Sequence, residues 1–274
     1  MNDTICIYHR DADGCAAAAV IKMAHPNQNI EFFSAQYGEA APNCKGKHVI
    51  IVDFSYPLDI LSDIESMSNS LVVYDHHKSA QNELEHLDYA HFDMSKSGAT
   101  LVWSTFFAGD EIPLFLQYVE DRDLWKFQLK DSKACSVGLQ SILLNVHEYE
   151  TFINQNSVDS FIIAGKTILS YQEVQIDKIL AQDIQTITIA GYEIPCINHT
   201  DAFTLSEVCG RLSKEKPFAA CYFDEGNKRI FSLRSRDDGV DVSEIAKKYG
   251  GGGHRQAAGF WITKPTIAPL NTDA

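Results

Sequence analysis

Three short apolar runs near the N-terminus each end in His and Asp side chains. Thr4-Ile5-Cys6-Ile7-Tyr8 leads into His9-Arg10-Asp11-Ala12-Asp13-Gly14. His48-Val49-Ile50-Ile51-Val52 leads into Asp53, and Leu71-Val72-Val73-Tyr74 leads into Asp75-His76-His77. Short runs rich in Val and Ile read as buried strands of a parallel sheet. Ligands of an open α/β sheet bind beyond the carboxyl ends of such strands. The sequence therefore predicts that these His and Asp side chains gather along one sheet edge. Imidazoles and carboxylates together suit two divalent cations.

The intervening sequence supports that fold class. Cys15 to Ala24 is alanine-rich and helix-prone, Ile30 to Phe33 reads as a strand, and Leu58 to Met67 carries apolar residues at helical spacing. Further helices are expected from Ser97 through Phe107 and from Pro113. Alternating strands and helices predict a parallel sheet with helices on both faces. From Val158 to Gln185 the pattern is helical, and beyond it short strands alternate with two helices. The expected organisation is a catalytic α/β domain over 1–150, a helical linker over 151–185 and a smaller α/β domain over 186–274, with a cleft between the two lobes.

Bulk properties narrow the partners. The 274-residue chain carries a net charge of −14 and no basic run. A protein that grips a long duplex needs a basic stripe, so a small phosphorylated ligand fits better. No apolar run approaches the roughly 20 residues that cross a bilayer, and no secretory signal is evident. Seven cysteines without a C-x-x-C pair predict free thiols and a cytoplasmic location.

On a strand end, His9, Asp11 and Asp13 would project to one side, while Gly14 relieves crowding as the chain turns into a helix. Asp53 is suited to bridge two ions, and His76 or His77 supplies an imidazole, which favours manganese over magnesium. Two ions about 3.5–4 Å apart stabilise both the attacking and the leaving oxygen at phosphorus. Such residues also serve as ordinary caps, but His-x-Asp-x-Asp-Gly arises by chance only about 10⁻³ times in a chain of this length.

A second feature lies near the C-terminus. Gly250-Gly251-Gly252-Gly253 precedes His254 and Arg255. Consecutive glycines can turn successive N–H groups into one anion-binding concavity. Arg234 and Arg236 leave a predicted strand on a shared face. Ser97-Gly98-Ala99 reads equally well as a helix N-cap or as a phosphate contact at a helix N-terminus.

The His-x-Asp-x-Asp-Gly, Asp53 and Asp-His-His elements resemble the first three motifs of the DHH phosphoesterase family. The glycine run with Ala257-Ala258-Gly259-Phe260 resembles the DHHA1 domain often paired with it. The resemblance covers nearly the whole chain, and its short two-lobed form is similar to nanoRNase or oligoribonuclease-like members related to RecJ. It implies that His9, Asp11 and Asp53 hold one metal. Asp13, Asp53, His76 and a fourth-motif Asp would hold the other. That Asp is Asp121, with Asp123 as the alternative. The resemblance also implies that His77 faces the scissile phosphate and Asp75 orients a histidine. Arg234, Gly251, Gly252, Gly253, His254 and Arg255 would bind substrate.

The expected cofactors are two divalent cations, Mn²⁺ first and Mg²⁺ second. The expected activity is hydrolysis of short oligonucleotides or dinucleotides to 5′-mononucleotides by a hydroxide activated by two metals. Cyclic dinucleotides, 3′-phosphoadenosine phosphate and polyphosphate are alternative substrates of the same site. A non-catalytic nucleotide sensor is the competing class. No long duplex and no membrane partner is expected, and the fold allows a homodimer.

Overall fold

The computed structural model describes residues 3–264, apart from the side chains of residues 202 and 203. The last ten residues of the expected second domain, 265–274, lie outside it. The chain divides into two compact units, Met1–Leu169 and Ser170–Ala274.

The first unit begins with β1 (Thr4–His9), α1 (Ala12–Ala24), β2 (Ile30–Ala35), β3 (His48–Val52), α2 (Leu58–Met67), β4 (Ser70–Asp75), α3 (Lys78–Leu84) and β5 (Ala90–Phe92). It continues through α4 (Gly98–Phe106), α5 (Leu114–Asp123), α6 (Ser132–Leu139) and α7 (Val146–Gln155). All its strands are parallel, in the order β2-β1-β3-β4-β5. The chain steps from β1 to β2 on one side, then returns to place β3 on the other. The reversal point therefore lies between the carboxyl ends of β1 and β3, where an open α/β sheet forms its binding crevice.

Alternation along the strands builds a core on each face. Cys6, Tyr8, Ile50, Val52 and Tyr74 pack with α1, whose Cys15 to Ile21 is wholly buried, and with Ala99, Val102 and Phe115. Ile5, Ile7, Val49, Ile51 and Val73 face the opposite way, onto Leu61 and Ile64 of α2 and Leu84 of α3. The alanines of α1 suit this position, because small side chains bring its axis close to the sheet.

α8 (Asp159–Leu180) spans the division between units. Its Phe161 belongs to the first core, and its Ile176 packs with Val208, Cys209 and Cys221. The second unit contains β6 (Gln185–Ile189), β7 (Tyr192–Asn198), α9 (Ala202–Leu212), β8 (Ala219–Glu225), β9 (Lys228–Arg234), α10 (Val242–Lys247), β10 (Gly252–His254) and β11 (Ala257–Thr263). They form a mixed six-stranded sheet, β10-β11-β9-β8-β7-β6, in which only β7 and β8 run parallel. The protein is thus α/β, with a parallel sheet covered on both faces and a second, mixed sheet. The seven cysteines are all buried free thiols. Among the described residues, no helix is long and apolar enough to cross a membrane.

Candidate metal centre

The carboxyl ends of β1, β3 and β4 bring His9, Asp11, Asp13, Asp53, Asp75, His76 and His77 together. Strand alternation is not how the first three converge. Only His9 belongs to β1; Asp11 is the N-cap of α1, accepting from the Gly14 N–H at 2.9 Å, and Asp13 lies in the first helical turn. The strand ends at His9, four residues short of Asp13, where an i, i+2, i+4 pattern would have to reach. Gly14 permits the tight turn, since a Cβ there would lie 2.3 Å from the His9 carbonyl oxygen.

Each carboxylate is fixed separately. Asp13 is 2 % exposed and seated on the start of α4. It accepts from Ser97 Oγ at 2.7 Å and from the Gly98 and Ala99 N–H groups at 2.6 and 3.1 Å. Ser97 also caps α4 by accepting from the Thr100 N–H. The helix N-terminus, one of whose expected roles was a phosphate contact, is occupied by Asp13. Asp53 follows β3 in the left-handed region, φ 54°, with its N–H donating to the Tyr74 carbonyl. A non-glycine residue held there costs about 1–3 kcal/mol, a strain typical of functional positions.

Asp75 is wholly buried and accepts from Ser55 Oγ at 2.6 Å, His77 Nδ1 at 2.7 Å and the His76 N–H at 2.7 Å. This bond fixes the proton on His77 Nδ1 and leaves Nε2 available. The same contact raises the His77 pKa, against the opposing effect of burial.

Three groups of ligand atoms each lie within 4.8 Å of one another: His9, Asp11 and Asp53; Asp13, His76 and Asp123; and Asp53, His76 and His77. His76 Nε2 stands 2.9 Å from Asp53, 3.4 Å from Asp123 and 3.8 Å from Asp13. His9 Nδ1 stands 2.8 Å from Asp11 and 3.7 Å from Asp53. Yet His9 Nδ1 and Asp53 Oδ2 are both buried and lack a hydrogen-bond partner. At 2.8 Å the His9–Asp11 pair is close enough for a bond but not directed as one. Two buried atoms 3.7 Å apart, orphaned from protein donors, fit a cation between them.

The electrostatics agree. Burial, reinforced by Asp123 and Asp11, pushes the Asp13 carboxyl up to about 8. Burial and the neighbouring carboxylates Asp13, Asp11, Asp123 and Asp75 raise Asp53 well above its ordinary range. Burial lowers the His76 pKa and so favours the neutral, ligating imidazole. Carboxylates crowded in this way ionise together only when positive charge is supplied. Imidazole nitrogen with carboxylate oxygen suits Mn²⁺, and also Mg²⁺ less selectively.

Asp121 lies elsewhere. Its side chain is buried under the loop after α5, accepting from the N–H groups of Gln128 at 2.9 Å and Leu129 at 3.2 Å. Asp123, two residues on, reaches His76 instead. Two residues along a helix rotate a side chain by about 200°, so only one of the pair can face the metal cluster. Asp121 organises the loop that follows α5. That loop contains two further left-handed residues, Trp125 (φ 55°) and Phe127 (φ 48°). Tyr37, after β2, is another side chain missed in the sequence. It packs against His9 and His77 with ring centroids 5.7 and 6.0 Å away. A lone Tyr beside Gly38 carries no metal-ligand spacing.

In the second unit the glycines do not form one concavity. The N–H groups of Gly250 and Gly251 close the end of α10 on the Lys247 and Ala246 carbonyls. Gly252, Gly253 and His254 form the exposed edge strand β10. Gly251 and Gly253 allow close approach to β11, where a Cβ would meet the Gly259 and Ala257 carbonyl oxygens at 2.1 and 2.6 Å. Arg234 ends β9 opposite Ala257 and donates to Ser206 Oγ. Arg255 instead donates to the Gly239 carbonyl. Arg236 lies past the strand end and donates to the Lys214 carbonyl, so strand alternation does not pair it with Arg234.

Residues 194–271 match the DHHA1 domain. The chain carries a DHHA1 domain. It is 32 % identical over 241 residues to the uncharacterised protein R106 of Acanthamoeba polyphaga mimivirus, covering 85 % of this chain and 56 % of that protein. The chain thus spans little more than half the length of that relative. It is 26 % identical to the oligoribonuclease NrnB of Bacillus subtilis, covering 93 % of this chain and 72 % of NrnB. Its fold is similar to that of PggH, a pGpG-specific phosphodiesterase from Vibrio cholerae. That match has a TM-score of 0.56 and 16 % identity, and covers 95 % of this chain and 93 % of PggH.

Proposed function

We propose that this chain is a metal-dependent phosphodiesterase of the DHH/DHHA1 family that hydrolyses short oligonucleotides or dinucleotides to 5′-mononucleotides. The observation that carries the reading is the set of three overlapping ligand groups, two of which share Asp53 and two of which share His76. His9, Asp11 and Asp53 would hold one cation; Asp13, Asp53, His76 and Asp123 would hold the other. Asp123 takes the place first expected of Asp121. Two divalent cations bound there would supply the Lewis acidity that activates water and stabilises the leaving oxygen.

The chain's own groups do the rest. Asp75 fixes His77 with Nε2 outward, where it can donate to a phosphate oxygen once protonated. Tyr37 covers His9 and His77 and limits solvent on that side. In the second unit, Arg234 and residues Gly251, Gly252, Gly253 and His254 are the proposed phosphate or nucleotide contacts, with Arg255 supporting the adjoining loop. The net charge of −14 favours short substrates over a long duplex. The relatives named an oligoribonuclease and a pGpG-specific phosphodiesterase support the same choice.

The test is a product assay with Mn²⁺ and then Mg²⁺. Substrates are linear di- to pentanucleotides, cyclic dinucleotides, 3′-phosphoadenosine phosphate, polyphosphate and pyrophosphate. Release of 5′-mononucleotides, fastest from the shortest linear chains, is expected. Preference for polyphosphate over every nucleotide would overturn the reading. So would dinucleotide binding without hydrolysis that survives Asp53→Ala, the behaviour of a sensor.

A further inference from the structure

Arg122 sits in the last turn of α5, directly before Asp123, and its guanidinium is half-buried. The carbon at its centre lies 4.2 Å from the Trp125 ring centroid and 5.8 Å from that of Phe127. These two rings meet edge-on at 5.0 Å, making a corner in which the guanidinium rests. Stacking engages the face of the guanidinium and leaves its in-plane N–H groups directed outward. Among the described residues, none of those groups has a hydrogen-bond or ion-pair partner. Arg10, on the neighbouring loop, is by contrast held by Glu39 through two bonds of 2.8 and 3.1 Å.

The surroundings give this cation a purpose. Asp11 and Asp123 are the carboxylates whose charge acts on it. Asp11, Asp13, Asp53, Asp75 and Asp123 bring five negative charges to the centre, and two divalent cations bring four positive ones. A phosphodiester arriving there meets a residual negative charge unless the chain supplies another cation. Arg122 is a cation at that rim with donors to spare, and a guanidinium fork matches two phosphate oxygens.

We propose that Arg122 grips a phosphate of the substrate beside the metal centre, and that Trp125 is the positioning residue that holds its plane. The identity of the ligand as a nucleotide rests on the function proposed above; the phosphate contact does not. Trp125 is 67 % exposed, so a large aromatic surface stands in water at this rim. The left-handed backbone at Trp125 and Phe127 is secured from below by Asp121, which fixes the loop before any ligand arrives.

The experiment measures binding of 5′-AMP, inorganic phosphate and Mn²⁺ to the full chain by calorimetry. Arg122→Ala is expected to weaken 5′-AMP binding to the Mn²⁺-loaded protein about 10–100-fold, as for one lost charge-assisted contact. Mn²⁺ binding should be unchanged, which also reports an intact fold. Arg122→Lys should restore little, because an ammonium neither stacks nor forks. Trp125→Ala should weaken 5′-AMP binding, and Trp125→Phe should recover it. Wild-type affinity in Arg122→Ala would overturn the proposal, as would loss of Mn²⁺ in that variant. If phosphate binds through Arg122 while 5′-AMP binds no better than phosphate and no nucleotide is cleaved, the grip stands and the nucleotide reading falls.

Discussion

Gly98 stands so close to Asp53 that a Cβ on it would lie 2.4 Å from the Asp53 Cβ. The start of α4 is therefore pressed against the residue shared by two of the three ligand groups. Gly98 also donates its N–H to Asp13 at 2.6 Å. Any side chain at Gly98 must displace Asp53, Asp13 or the helix itself. Gly98→Ala is expected to cost about 1–3 kcal/mol of stability, as overpacking does. It should also weaken Mn²⁺ binding. Chemical denaturation and calorimetry would measure the two effects.

Asp53→Asn removes the carboxylate proposed to serve both cations. Hydrolysis of a dinucleotide should fall by at least about 10³-fold, equivalent to about 4 kcal/mol of lost transition-state stabilisation. Because the Asp53 carboxyl is unfavourable to ionise without metal, the metal-free variant should be no less stable than the wild type. A melting curve in chelator, run beside the rate measurement, separates the two effects.

Asp121→Asn and Asp123→Asn should differ in kind. Asp121→Asn weakens charge-assisted bonds to Gln128 and Leu129, and should lower stability by about 1–3 kcal/mol. Asp123→Asn leaves that loop bonded but should reduce the number of tightly bound Mn²⁺ ions from two to one. Equal metal loss in both variants would contradict the geometry of the α5 terminus.

The metal-free protein should lose stability as pH rises. Asp13 has a folded pKa of about 8, raised above its ordinary 3.8 by burial and by Asp123 and Asp11. Asp53 is raised by burial and its neighbouring carboxylates. A raised carboxyl binds its proton more tightly when folded, so its contribution is fully present below about pH 4. It is lost progressively toward about pH 8. Bound Mn²⁺ competes with those protons and should reverse the slope. Thermal unfolding from pH 5 to 8, with chelator and with Mn²⁺, tests the sign.

Asp75→Asn leaves the Ser55 and backbone contacts in place but weakens the bond that orients His77. Its partner position behind the ligands predicts a rate loss of about 10–100-fold. The His77 pKa should fall, because Asp75 is the first cause of its elevation. Titration of the His77 ring by NMR checks this independently of activity.

The apolar runs before His9, Asp53 and Asp75, read by the sequence alone, determined a buried parallel sheet and the edge on which its polar residues gather. Short Val- and Ile-rich segments have few other uses, and the chain must turn where they end. The helical frame of Leu58–Met67 was equally readable, because its apolar spacing is local. The choice between Asp121 and Asp123 was not local. Both are acidic residues at the end of one helix, and only the rotation of α5 against the sheet turns Asp123 to His76. The glycine run likewise suggested a nest by composition, whereas sheet pairing with β11 made part of it an edge strand. Tertiary structure also decided that Asp13 would take the N–H groups of α4 and that Arg122 would rest in an aromatic corner. Those contacts join residues distant in sequence or depend on a left-handed loop, neither of which leaves a periodic signal in the chain.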